Sequence, residues 1–151
     1  MKKFFIIFFT VFLIPLKSFG LIEVDITRGN LNPLPLAVSP LSIDDNAKKN
    51  FKRILDKENI GIEISSIVEN NLKTTGLFNP LNKDAFLQAP DIANLKPRFE
   101  DWNLIKAQAL ITGKVNYTDE KLRVEFRLWD VLAGKEMMAL AFTTIPSNWR
   151  R

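Results

Sequence analysis

The sequence predicts an α+β domain: a mixed sheet of about five strands with two main helices packed on one face, ending in an antiparallel meander. Three observations carry this reading. Within Ile60–Leu81, Ile60, Ile64, Ile67, Val68 and Leu72 recur every three or four positions, and Gly76 and Pro80 then stop the helix. From Ala107 to Ile145, strand-like segments are joined by short turns, as in a meander. The apolar segments Leu36–Val38 and Ala109–Gly113 lie on either side of the helix in the order of a crossover unit. Parallel strands in such a unit would be connected right-handedly.

Composition narrows the chemistry. The 151 residues allow one domain and little more. The chain has no cysteine and no histidine. Cys/His zinc sites, disulfides, thiol chemistry and Ser-His or Cys-His pairs are therefore excluded. The net charge of +4 is unevenly placed. Lys2, Lys3 and Lys17 lie in the first twenty residues, which hold no acid. The rest of the chain carries 18 basic against 17 acidic residues, a balance of +1. That removes the compositional argument for binding nucleic acid.

Taken in order, residues 1–20 read as a cleaved secretory signal peptide. Lys2 and Lys3 give the positive start, Phe4–Leu16 the apolar run, and Ser18 and Gly20 the small residues before the cut. The run is short of the ~20 residues that span a bilayer. No cysteine follows, so no lipid is attached there. The mature chain is expected to start at Leu21 and to work in the periplasm.

Leu21–Thr27 alternates as a half-buried strand. Ile22, Val24 and Ile26 face one way; Glu23, Asp25 and Thr27 face the other. Arg28, Gly29 and Asn30 break it, and Leu31 and Asn32 lead on. Leu36-Ala37-Val38 is the core of a short strand buried on both faces, bracketed by Pro33, Pro35 and Pro40. Asp44–Asn59 holds a short helix with Phe51, Ile54 and Leu55 at helical spacing. Its basic cluster, Lys48, Lys49, Lys52 and Arg53, reads as a solvated face balanced by Asp44, Asp45, Asp56 and Glu58.

The Ile60–Leu72 stripe is expected to cover the sheet, with up to ~1.5–3 kcal/mol for each buried side chain. Glu63, Ser66, Glu69, Asn70 and Lys73 fall between and face water. Gly76 suits a left-handed helix end, and Leu77 and Phe78 form a docking loop packed back on the last turn. Asn82–Pro97 is a long connection tethered by Phe86 and Leu87. Arg98–Lys106 reads as a second helix with Phe99, Trp102 and Ile105 on one face.

Ala107–Tyr117 is apolar on both faces at its start, as an interior strand is. Thr118-Asp119-Glu120 is a turn. Lys121–Trp129 alternates strictly, with Leu122, Val124, Phe126 and Leu128 inward and Lys121, Arg123, Glu125, Arg127 and Trp129 outward. Asp130–Lys135, with Gly134, is a second turn. Glu136–Ile145 puts Met138, Leu140 and Phe142 on one face.

No residue pattern points to catalysis. Asp44/Asp45 and Glu100/Asp101 are adjacent acids outside any apolar context that would shift a pKa. The glycines show no phosphate-cradling spacing, and Ser65 and Ser66 have no base. The chain reads as non-enzymatic, without cofactor, metal or small-molecule substrate. The Lys/Arg/Trp face of Lys121–Trp129 reads as a solvated or covered sheet face, not a nucleic-acid platform.

NLKTTGLFNPLNKDAF, then Trp102, then AQALITGKV resembles the TolB amino-terminal domain family of the Tol-Pal envelope system. The matching positions are Gly76, Phe78, Pro80, Trp102, Gly113 and Val115. The leader, the strand after it and the ending Phe142–Arg150 fit as well, so the resemblance covers residues 21–151. It implies a periplasmic adaptor supporting outer-membrane integrity and cell division. It also implies that Leu21, Ile22, Glu23, Val24, Asp25, Ile26, Thr27, Arg28, Gly29, Asn30, Leu31 and Asn32 engage a TolA-like inner-membrane partner. Family members continue into a β-propeller that binds the lipoprotein Pal. This sequence is expected to stop before the propeller and before the helix that should follow Trp149, leaving apolar sheet surface uncovered. The competing reading is a periplasmic or outer-membrane assembly module that uses strand addition with another partner.

Overall fold

The computed structural model describes residues 32–150. The leader and the expected strand at Leu21–Thr27 lie outside the described residues. The strands are β1 (Leu34–Val38), β2 (Ser42–Ile43), β3 (Phe78–Pro80), β4 (Ala109–Thr118), β5 (Lys121–Asp130) and β6 (Lys135–Thr144). The helices are α1 (Asp45–Leu55), α2 (Ile60–Thr74), α3 (Pro90–Leu95) and α4 (Phe99–Leu104). The sheet runs β3-β1-β4-β5-β6, with β2 pairing β4 beyond the end of β1. β1 is parallel to β3 and to β4, in register Leu34↔Phe78 and Leu36↔Ala109. The β4-β5-β6 meander is antiparallel. The mixed α+β sheet expected from the sequence is therefore present, and the crossover strands, whose direction the sequence left open, are parallel.

Burial explains the elements. Leu36, Ala37 and Val38 are at most 2% exposed, because β1 is paired on both edges and covered on both faces. Asp44 caps α1 by accepting from the Ala47 amide at 2.7 Å, and α1 buries Ala47 and Phe51. The stripe steps by four from Ala47 through Phe51 to Leu55, so Ile54 falls off it and is exposed, contrary to expectation. α2 starts at the Asn59 cap and seats Ile60, Gly61, Ile64 and Ser65 in the core. Gly76 has φ +72°, the left-handed end that its position predicts.

Two loops turn out to be ordered. The docking loop after Gly76 is β3: Leu34 N–H donates to Leu77 O at 2.8 Å and Leu81 N–H to Leu36 O at 2.9 Å. An extended backbone beside β1 satisfies its polar groups by pairing. Phe78 packs against Leu36, Val38 and Ala109, the same cluster that Val68 and Leu72 of α2 cover. In the long connection the tether is Gln88 rather than Leu87, which is 59% exposed. The Gln88 amide donates to Arg98 O at 2.7 Å and accepts from Arg98 N–H at 3.1 Å.

The two long helices α1 and α2 share one face with Leu122, Val124 and Val115. The expected second helix, Arg98–Lys106, is the short α4 and lies on the opposite face instead, so the helices that share a face are α1 and α2. Trp102, 1% exposed, packs there with Ala37, Leu110, Trp129 and Val131. This overturns the outward placement of Trp129: it is buried, and its indole N–H donates to Thr112 Oγ1 at 2.9 Å. Alternation correctly separated Trp129 from Leu128, but α4 and its flanks cover the second face.

The β4–β5 hairpin turns on Asp119 and Glu120 with φ of 51° and 58°. Two successive positive φ values define the turn that favours Asn-Gly or Asp-Gly. Glu120→Gly should therefore stabilise the domain by about 0.5–1 kcal/mol, the relief of left-handed strain less the added freedom of the unfolded chain. Thermal unfolding checks this, and a lowered midpoint would contradict it.

Candidate interaction surfaces

Of the candidate segment Leu21–Asn32, only Asn32 is among the described residues. It is exposed and leads through Pro33 into β1. The other eleven positions lie outside the described residues. The point of entry is the end of the sheet where β4 starts and β5 ends, since Leu36 pairs with Ala109 and Ala109 with Asp130.

A second surface is the uncovered apolar sheet face that the sequence reading expected, and the structure gives its place. β6 pairs with β5 on one side only, and its residues Lys135–Thr143 are all exposed. Met138, Leu140 and Phe142 share one face, as predicted; it is the face of α2, yet they are 51%, 49% and 57% exposed. α2 covers β1, β4 and part of β5 but stops short of β6. A groove of about 240 Å³ runs between them, lined by Val68, Leu72, Ile111, Phe126, Leu128, Met138 and Leu140, with Arg127 at its border. A second hollow of about 250 Å³ continues past Ile64, Ile67, Phe142 and Trp149. The sequence signal was the apolar row of β6; its exposure depends on the reach of α2, which no local pattern encodes.

The opposite face of β5 and β6 is polar. Glu125 lies 2.9 Å from Arg123 and 3.6 Å from Lys114, and Arg127 lies 3.7 Å from Glu136. Partial burial pushes the Glu125 carboxyl up, but the Arg123 hydrogen bond and the Lys114 charge outweigh it and hold it below the usual carboxylate range. The basic cluster of α1 is a balanced, solvated face. Lys52 pairs with Glu58 at 2.6 Å and Asp56 at 3.0 Å, which raises its pKa, and Lys48 pairs with Asp45 at 3.8 Å. The adjacent acids are structural too: Asp44 caps α1, and Asp101 binds Arg98 at 2.7 Å in the first turn of α4. Among the described residues no helix is long and apolar enough to cross a membrane.

A bare strand edge beside an apolar groove, with Asp44, Asp101, Glu125 and Glu136 tied into a cap and ion pairs, defines an α+β domain suited to contact with other polypeptides. Comparison with known proteins gives the family. The profile of the TolB amino-terminal domain matches residues 22–137, and the chain belongs to that family. It is 77% identical over 145 residues to the Tol-Pal system protein TolB of Pelagibacter ubique (strain HTCC1062). The match takes in 96% of this chain and 32% of that relative, so the chain spans about a third of its length. TolB from Acinetobacter baumannii shares the fold with a TM-score of 0.58 at 18% identity, over 78% of this chain and 25% of that one. The lipoprotein GNA1162 from Neisseria meningitidis does so with a TM-score of 0.52 at 18% identity, over 75% of this chain and 81% of that one.

Proposed function

We propose that the chain is the non-catalytic amino-terminal adaptor domain of a Tol-Pal envelope machine. In this reading residues 1–20 are a leader removed on export, and residues 21–151 form the domain in the periplasm. Leu21–Asn32 binds a TolA-like inner-membrane protein by strand addition, and Pal is held by a propeller that follows the domain. The machine supports outer-membrane integrity and cell division.

The observation that carries the reading is the family match, which starts at Ile22 and so takes in the working segment. The physics agrees with it. A terminal strand has few covalent constraints, and its backbone donors and acceptors can pair with a partner's sheet edge. Ile22, Val24 and Ile26 then set the register, and Gly29 gives the segment a hinge.

Deleting Leu21–Thr27 should abolish binding to the cognate TolA periplasmic domain while leaving the β1–β6 sheet folded. Val24→Pro should do nearly the same, because it removes a ladder donor in mid-strand. Titration calorimetry, with circular dichroism as the fold control, reads both. Unchanged affinity in the deleted protein would reject the assignment.

A further inference from the structure

We propose that the outer edge of β6 docks an extended segment of another protein, apolar in one row of side chains and acidic in the other. β6 is a ten-residue strand without proline or glycine, and it is exposed along nearly its whole length. Long edges of this kind are templates for strand addition, and proteins normally blunt them with prolines, bulges or inward charges. The β5–β6 register does shift between Leu128 and Trp129. Beyond that point the pairing runs unbroken from Met138 to Thr144.

The two faces of this edge ask for different side chains. On one, Met138, Leu140 and Phe142 border the apolar groove, so an added strand with apolar residues in that row would extend the cover toward α2. On the other, β6 offers Ala139 and Ala141. Their neighbours on β5 are larger: Arg127 pairs with Ala139, and Glu125, held by Arg123, pairs with Ala141. The small side chains leave the guanidinium groups room to reach across β6, whose spacing to a neighbour is about 4.8 Å. Along β5 and β6 on this face Lys121, Arg123 and Arg127 stand against Glu125 and Glu136, so a positive charge is left over. An acidic row meets that surplus.

The same arrangement disfavours two other occupants. A second copy pairing β6 to β6 would bring the arginines of both chains over the same alanines, a like-charge contact. The chain's own Leu21–Thr27 has the right alternation, but the six residues between it and β1 limit its reach. From β1 to a position outside β6 is four strand spacings, about 19 Å. Residues 28–33 span about 20 Å only when fully extended.

The test titrates the full exported chain with two short capped peptides, one alternating valine with glutamate and its twin alternating valine with lysine. The glutamate peptide should bind about tenfold more tightly. The Arg123→Glu/Arg127→Glu double variant should reverse the preference, and Ala141→Asp should weaken the glutamate peptide while leaving the arginines in place. Melting curves establish that each variant is folded. Equal binding of the twins, or a preference unchanged in both variants, would overturn the proposal. So would sedimentation of the chain as a dimer through this edge, or glutamate-peptide binding seen only once Leu21–Thr27 is removed.

Discussion

Gly113→Val should remove a large part of the chain's stability and shift its unfolding far below the wild-type midpoint. Gly113 sits in the middle of β4, opposite Phe126 of β5. A Cβ built there runs into the backbone carbonyl oxygen of Glu125 and comes within 2.9 Å of Leu41 Cδ2. The Leu41 side chain can shift, but the carbonyl belongs to the ladder and cannot. Valine adds two more methyl groups against the same ladder. Overpacking of this kind costs about 3 kcal/mol or more, a large part of the ~5–15 kcal/mol that holds a domain together. Near-ultraviolet circular dichroism and urea unfolding read the outcome. A valine variant with the wild-type midpoint would show that β4 and β5 are not packed as described. Glycine at this position thus has a physical reason: close approach of two strands under Leu41.

Trp102→Ala should lower stability by about 3–5 kcal/mol, the range for removing a fully buried aromatic side chain. Trp102 is the largest fully buried side chain among the described residues. Its ring meets Phe86 edge-on at a centroid distance of 5.0 Å and fills the space between α4 and Leu110. Its indole N–H has no hydrogen-bond partner among the described residues. Trp102→Phe therefore keeps most of the apolar contact and gives up no hydrogen bond, so its cost should be less than half that of alanine. Urea midpoints at equal slope compare the two. Equal losses for phenylalanine and alanine would contradict the packing argument.

Much of the fold was legible because periodicity reports which residues share a face. The stripe from Ile60 to Leu72 and the stop at Gly76 located α2, and strict alternation located β5 with Leu122, Val124, Phe126 and Leu128 together. Periodicity is silent on whether a face is covered. Trp129 and Arg127 share one row, yet Trp129 is buried under α4 while Arg127 is half-exposed, because Trp102 and Phe99 reach only one end of the sheet. The row Met138, Leu140, Phe142 has the pattern of a core strand and is left largely bare. β3 has only three residues, too few to show a period, and its strand state comes from the neighbouring β1. Gln88 was illegible for another reason: a buried amide that ties a loop to Arg98 leaves no mark in composition. The candidate segment Leu21–Asn32 rests on its alternation and its place in the family.

The most direct measurement is the amide spectrum of isotope-labelled exported chain titrated with the cognate TolA periplasmic domain. The account predicts that the perturbed and exchange-protected amides fall in Leu21–Asn32, with those of α2 and β4–β6 unmoved. Perturbations centred on α2 or the meander, with Leu21–Asn32 unchanged, would contradict it.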